Sequence, residues 1–139
     1  MALTTFSGPV RSLNGFIAGH QVIASNAVNA TATATAAQVA TGYITSTSAA
    51  ATTITLPTGT LLGAALGATQ GTVFDLCIDN TAGADVVTIA VATNGILSTA
   101  AADTAGSFGD LTVAAGVTGL ARFTLMFSSP TAYVFTRTA

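Results

Sequence analysis

Short stretches of alternating apolar and polar residues, each closed by turn-forming residues, set the strongest limit on how this chain of 139 residues folds. In an extended strand over residues 73–79, Phe74, Leu76 and Ile78 lie on one face. The other face carries Val73, Asp75, Cys77 and Asp79. The same period recurs over 119–127, where large side chains on both faces predict that both are covered. Further β-rich stretches lie at 43–47, 52–56, 87–91, 96–97, 111–113 and 132–137. About seven or eight short strands, with turn signals roughly every ten residues, predict an all-β domain with a β-sandwich or jelly-roll-like fold.

The turns between these stretches predict how the strands pair. A cluster of turn-forming residues at 80–84 separates the strands at 73–79 and 87–91, which are therefore predicted to form a hairpin. The strands at 43–47 and 52–56 are predicted to form a second hairpin or strand pair. A Ser-Ser-Pro-Thr turn before the last strand predicts a C-terminal hairpin.

Two short helices are predicted from their capping residues. Residues 29–40 begin with alternating Thr and Ala, which favour an edge strand or an extended linker because Thr is β-branched. Thr35 and Gln38 then fit a capping box and Gly42 suits the position just past a helix, which predicts one or two helical turns at 36–41. A second short helix is predicted through residues 61–66, with Thr58 or Thr60 as its N-cap and Gly67 at its end.

Residues 1–30 differ in character and are predicted to be an extended N-terminal arm that precedes a β-rich domain at 31–139. Apolar residues in this segment follow neither a helical nor a strand period, and Gly and Pro interrupt it often. Phe6 and Phe16 are large enough to need a site in which to be buried, so the arm is expected to lie on its own domain or on a neighbour. The alternative is an N-terminus that frays.

Charged residues are scarce, which limits the classes of partner. The chain has three Arg, five Asp and no Lys or Glu, so 6% of it is charged where an ordinary soluble domain has about 25%. With a net charge of −2 and no basic cluster, no nucleic acid or membrane partner is expected. The sequence has no apolar run long enough to span a bilayer and does not begin like a signal peptide, so a cytosolic product is expected.

Few residues are suited to catalysis, and we predict that the protein is not an enzyme. His20 is the only histidine, and it has neither a Gly-x-Ser-x-Gly motif nor any Glu to accompany it. Cys77, the only cysteine, alternates with core residues on a predicted strand and is expected to be a small buried thiol. No cofactor motif is present, so no cofactor is expected.

Three aspartates near one predicted turn make a weak Ca²⁺ site conceivable. Asp75 and Asp79 share a strand face, and Asp85 lies across the turn. These residues lack the acidic density and glycine spacing of a calcium-binding loop, so no metal is predicted. The favoured interpretation is that Asp75 or Asp79 pairs with Arg122 or faces water.

A surface with so few charges is best explained if copies of the chain, or a larger partner, cover much of it. Interface cores are depleted of charged residues, and closed symmetric oligomers are the usual way to bury such surface. A β domain also has exposed edge strands to cover. A structural, assembled protein is therefore favoured over a freely diffusing monomer.

Four stretches of the sequence carry a resemblance to a known family, at residues 5–16, 35–46, 51–58 and 74–83. In composition and order of elements they are similar to small structural proteins of tailed bacteriophages, and within that group they resemble head decoration, or cement, proteins. The resemblance implies a β-rich trimer, made in the cytoplasm of the host bacterium, that sits on the outside of an icosahedral capsid. It also implies that the protein clamps adjacent major capsid proteins and that a terminal arm reaches over the shell.

The arm supplies the predicted contacts with the capsid or with a neighbouring copy. Its apolar residues would anchor the contact, and Arg11 is the one charge able to form a directional bond to a capsid carboxylate. The predicted contact residues are Phe6, Pro9, Val10, Arg11, Leu13 and Phe16.

Tail-fibre and other tail-associated modules share much of this composition, so a receptor- or glycan-binding module of the tail is the alternative function. Such a module needs an aromatic platform for sugar stacking. The chain offers only Tyr43 and Tyr133 and no Trp, which counts against it.

Overall fold

The computed structural model describes residues 26–97 and 111–139, which form two β-sheets with two short helices. The strands are β1 (Ala32–Thr33), β2 (Tyr43–Thr45), β3 (Thr52–Thr55), β4 (Val73–Asp79), β5 (Val87–Ala90), β6 (Gly95–Leu97), β7 (Thr112–Val113), β8 (Leu120–Ser129) and β9 (Ala132–Arg137); the helices are α1 (Ala36–Val39) and α2 (Gly59–Leu66), with a 3₁₀ turn at Gly116–Thr118. The predicted β-sandwich-like domain with short helices is confirmed. Neither helix in these two ranges is long and apolar enough to cross a bilayer.

Both sheets mix parallel and antiparallel strands. The five-stranded sheet has the order β2-β4-β8-β9-β6 and the four-stranded sheet the order β1-β3-β5-β7. Strand β4 runs parallel to β2, and β3 runs parallel to both β1 and β5, whereas β8 is antiparallel to both of its neighbours. Parallel neighbours distinguish this sandwich from a jelly roll, which is antiparallel.

Successive strands from β1 to β8 alternate between the two sheets, and this corrects two predicted pairings. The hairpin predicted for 73–79 and 87–91 is wrong, because β4 lies in the five-stranded sheet and β5 in the four-stranded sheet. The pair predicted for 43–47 and 52–56 is wrong for the same reason, since β2 and β3 also belong to different sheets. Each of these turns carries the chain across the core, so the apolar faces of the two strands meet face to face instead of lying side by side. The C-terminal hairpin of β8 and β9 is confirmed.

Asn80 holds the turn between β4 and β5 in this crossing geometry. Its side chain is fully buried, and its amide nitrogen donates to the carbonyl oxygens of Asp85 at 2.9 Å, Val113 at 3.2 Å and Ala114 at 3.0 Å. Its backbone N–H donates to the carbonyl oxygen of Gly119. These bonds tie the end of β4 to the entrance of β5 and to the end of β7. Such bonds satisfy backbone carbonyls that burial removes from water.

The core lies between the two sheets and contains the apolar faces that the alternation predicts. Phe123 and Phe135 stack with ring centroids 4.9 Å apart, and Leu76 and Ile78 are fully buried. Burial of each large side chain contributes about 1.5–3 kcal/mol. Buried side chains of the core include Ile44, Ile54, Leu56, Leu62, Leu76, Ile78, Val87, Ile89, Val113, Ala121, Phe123, Leu125, Phe127, Tyr133 and Phe135.

Both helices begin at the predicted caps. The Thr35 hydroxyl accepts from the Gln38 N–H at 3.1 Å, and the Gln38 side chain accepts from the Thr35 N–H at 2.9 Å, which completes the capping box. At α2 the N-cap is Thr58, whose hydroxyl accepts from the Leu61 N–H at 3.3 Å. The helix ends at Gly67, whose left-handed φ of 60° suits glycine.

Helix α2 packs directly on the turn between β8 and β9. A Cβ at Gly59 would overlap the carbonyl oxygen of Thr131, and a Cβ at Gly63 would overlap that of Pro130. Glycine at these positions lets the helix backbone approach the turn closely, and this packing is absent from the sequence-based prediction.

Residues just before β1 lie along the edge of the five-stranded sheet. Ala27 forms a parallel bridge with Thr45 of β2, and the buried Asn26 donates from its side chain to the carbonyl oxygen of Gln38 and the hydroxyl of Thr41. This segment covers the free edge of β2, which would otherwise be open to pairing with another chain.

Candidate interaction surface

Exposed large apolar side chains are concentrated on one side of the five-stranded sheet. We call this side, which points away from the core, the outer face. Within residues 26–97 and 111–139, seven large hydrophobic residues are exposed, and five of them lie on the outer face. The five are Tyr43, Val73, Ile96, Leu120 and Met126. Soluble monomers rarely expose large apolar patches, so this face is the strongest candidate for an interaction surface.

Four of the outward side chains form a continuous row across the sheet. Val73 of β4 is in register with Met126 of β8, Met126 with Val134 of β9, and Val134 with Ile96 of β6. Strands about 4.8 Å apart make this apolar row about 15 Å long. Val73 is 62% exposed and Ile96 is 56% exposed. The prediction that both faces of 119–127 are covered is therefore wrong among the described residues, because only the core face is buried.

An ion pair lies beside the apolar row. The Arg122 guanidinium is 3.0 Å from the Asp75 carboxylate, and the Thr124 hydroxyl donates to the same carboxylate at 2.7 Å. Both charged side chains are about half exposed, so the pair contributes at most about 1 kcal/mol to stability. Its effect on the surface is to leave this part of the outer face without net charge.

Asp79, at the end of β4, has its carboxylate satisfied by neighbours. Both the N–H and the hydroxyl of Thr81 donate to Oδ1, and the Tyr43 hydroxyl donates to Oδ2. The hydrogen bonds from the hydroxyls of Thr81 and Tyr43, followed by that from the Thr81 N–H, lower the pKa of Asp79. The hydrogen bond that the Tyr43 hydroxyl donates to Asp79 raises the pKa of Tyr43.

Cys77 lies between Tyr43 and Arg122 in the register of the outer face. It is a free thiol and half-buried, so the expectation of a buried thiol is met only in part. The reason is that Cys77 points away from the core, on the same side of β4 as the two aspartates.

The three aspartates considered for a Ca²⁺ site have separate protein partners. Asp75 pairs with Arg122, as the favoured interpretation expected, and the Asp85 carboxylate accepts from the Val86 N–H at 2.7 Å. In the part of the chain that the structure describes, no three His, Cys, Asp or Glu side chains come together as a metal site would require.

The opposite surface of the sandwich has a different character. On the side of the four-stranded sheet that faces away from the core, Thr53, Thr88 and Thr112 are in register on three neighbouring strands, and Thr33 is in register with Thr55. None of the large hydrophobic residues found exposed in the described ranges lies on this threonine face. Hydroxyl groups suit it to contact with water, in contrast to the outer face.

Predicted site residues in the arm lie outside the described residues. These are Phe6, Pro9, Val10, Arg11, Leu13 and Phe16, and His20 lies there as well.

The two tyrosines considered for sugar stacking do not form a platform. Tyr133 is fully buried, its hydroxyl donates to the carbonyl oxygen of Pro57 at 3.0 Å, and burial raises its pKa to about 12. Tyr43 is the exposed one, and its hydroxyl is bound to Asp79.

Comparison with protein-family models, with curated proteins and with solved structures finds no match to this chain.

Proposed function

We propose that this protein is a structural component of a tailed-bacteriophage virion that binds the outside of the icosahedral capsid. In this proposal it acts as a trimer and stabilises the shell by clamping adjacent major capsid proteins. The observation that supports a structural role is the outer face, where exposed apolar residues stand beside charges that are already paired. The sequence resemblance to decoration proteins supports the capsid as the place of assembly.

The composition of the outer face makes its burial against another protein favourable. Burial of apolar side chains is favourable by about 25 cal/mol per Å² removed from water. Burial of an unpaired charge is costly, but Asp75 and Arg122 neutralise each other and Asp79 accepts three hydrogen bonds. The face is therefore suited to contact with protein, as expected of an assembled structural protein.

The arm is the part of the chain proposed to reach the capsid. It combines the apolar anchors predicted at Phe6 and Phe16 with the cation Arg11. The arm predicted over residues 1–30 leads into Asn26 and Ala27, which lie on the edge of β2. Because many copies bind one shell, modest contacts of each arm are sufficient through avidity.

The alternative is a receptor- or glycan-binding module of the tail. It would require exposed aromatic side chains free to stack on sugar rings. Tyr133 is buried and Tyr43 is engaged with Asp79, which favours the capsid proposal over this one.

Imaging of virions tests the proposal directly. Electron cryo-microscopy of the virion that carries this protein is expected to show it on the capsid exterior at three-fold or quasi-three-fold positions. Density for the protein on the tail would overturn the capsid proposal and favour the alternative.

A binding experiment tests the role of the arm. The full chain is expected to co-sediment with capsids that lack it and to raise their resistance to heat. A variant lacking residues 1–18 is expected to lose most of this binding while its circular dichroism stays that of the full chain. Equal binding by the full and shortened chains would refute the arm's role, and unchanged heat resistance of loaded capsids would refute the clamp.

A further inference from the structure

We propose that copies of this chain join to one another through the outer face, with the apolar row Val73–Met126–Val134–Ile96 as the anchor of the contact. This inference rests on the proposed function, which includes a homo-oligomer without assigning its interface. It commits to a second copy of the chain as the occupant of the face.

The surface chemistry of the chain favours a second copy. A partner for the apolar row must present a surface with few charges, because interface cores are depleted of them. This chain meets that requirement, since only eight of its 139 residues are charged, three basic and five acidic. Association between identical chains is also the commonest form of oligomer.

The size of the outer face fits such a contact. Five strands about 4.8 Å apart and a β4 of seven residues rising about 3.3 Å each give a face of about 20 by 20 Å in projection. The accessible area of a corrugated face exceeds its projection, so it supplies a large part of the about 800 Å² that each partner contributes to a standard interface.

The polar groups of the face are compatible with burial. Arg122 and Asp75 pair within one copy, and Asp79 is satisfied by Tyr43 and Thr81. A contact that covers them buries one ion pair whose charges cancel and one carboxylate that accepts three hydrogen bonds, and this lowers the cost of burying ionic groups. In the proposed function the arm carries Arg11, the cation predicted to bind the capsid, and the outer face is the surface that we propose for contact between copies.

The test compares two valine substitutions in the full chain. Val73→Lys places a charge in the apolar row, whereas Val117→Lys places the same charge on the 3₁₀ turn, where the side chain is 99% exposed. Both residues are exposed in the described chain, so both variants are expected to fold. Multi-angle light scattering and sedimentation velocity over a range of concentrations report the oligomeric state.

We expect the wild type and Val117→Lys to form the same oligomer, and Val73→Lys to weaken it about 30-fold or more in dissociation constant, as loss of an apolar anchor does. A double variant, Val73→Thr with Ile96→Thr, keeps β-branched residues on the strands and is expected to weaken association in the same direction. Circular dichroism and thermal unfolding confirm that each variant is folded.

Three results would overturn the inference: a monomeric wild type at the highest soluble concentration, dissociation by Val117→Lys with Val73→Lys unaffected, or a Val73→Thr/Ile96→Thr variant that is folded and associates like the wild type. Failure of this inference is distinguishable from failure of the proposed function. A protein that binds capsids but is monomeric in solution would refute only the inference about the outer face. An outer-face oligomer that is found on the tail would refute only the capsid proposal.

Discussion

Replacing Asn80 with aspartate is the sharpest test of how the chain crosses from one sheet to the other. The substitution keeps the shape of the side chain but removes the amide hydrogens that bind three backbone carbonyls. The two hydrogens of the amide correspond to about 2 kcal/mol, at about 1 kcal/mol of net stability for each hydrogen bond. A carboxylate facing carbonyl oxygens in a fully buried site adds a further cost of about 1–3 kcal/mol. We therefore expect Asn80→Asp to lower the free energy of unfolding by about 3–5 kcal/mol at neutral pH.

The cost of Asn80→Asp is expected to depend on pH. Burial raises the pKa of the introduced carboxyl above its unfolded value of about 3.9, because the protonated form is favoured beside carbonyl oxygens. The folded state then binds a proton more tightly than the unfolded state does. The loss of stability is accordingly smallest below the unfolded pKa, grows as the pH rises between the unfolded and folded pKa values, and is constant above the folded one.

Urea unfolding followed by circular dichroism over a series of pH values measures this effect. Asn94→Asp is the matched control. Asn94 is exposed, so the substitution introduces the same charge at a position where water can solvate it. If Asn80→Asp were no more destabilising than Asn94→Asp, or if its cost were independent of pH, the assignment of Asn80 as the buried link between the sheets would be refuted.

Two further predictions concern α2 and the end of β4. Gly63→Ala is expected to destabilise the protein by about 1–3 kcal/mol in thermal or urea unfolding, because the new methyl group overlaps the Pro130 carbonyl oxygen; a stabilisation of about 1 kcal/mol, as in a helix with free space, would contradict this packing. Because the pKa of Asp79 is lowered in the folded state, its contribution to stability is present above its unfolded pKa and is lost as the pH falls through the folded pKa. Asp79→Asn is expected to reduce this loss of stability in acid. In the Thr81→Ala variant, NMR titration is expected to show the pKa of Asp79 raised toward its usual value. An unchanged pKa would exclude the Thr81 hydroxyl as the main cause of the lowered pKa of Asp79.

Local features of the fold follow from the sequence because they depend on residues close together in the chain. The alternation over 73–79 predicts which side chains of β4 are buried, since successive side chains of a strand point to opposite faces. The capping box of Thr35 and Gln38 spans three residues and is found where it is predicted. The low charge of the chain predicts an assembled protein, but this prediction names no particular surface.

Apart from the C-terminal hairpin of β8 and β9, pairing between strands was decided only by the tertiary structure. The turn at 80–84 has the composition of a hairpin turn, but Asn80 binds the carbonyls of Val113 and Ala114, which lie at the end of β7 and more than thirty residues away, and the chain crosses to the other sheet. Alternation reports that a strand has an apolar face; it does not report which strand lies beside it, because that depends on contacts between distant residues.

The same reason explains why the candidate surface was not visible in the sequence. The apolar row joins Val73, Ile96, Met126 and Val134, which come from four strands and become neighbours only through the register of β4, β8, β9 and β6. Met126 illustrates the difference, since its sequence context predicts a strand covered on both faces, while the folded sheet leaves its side chain 42% exposed. The period of a strand is a property of the chain, but the covering of each face is a property of the whole molecule, because it depends on what packs above the sheet.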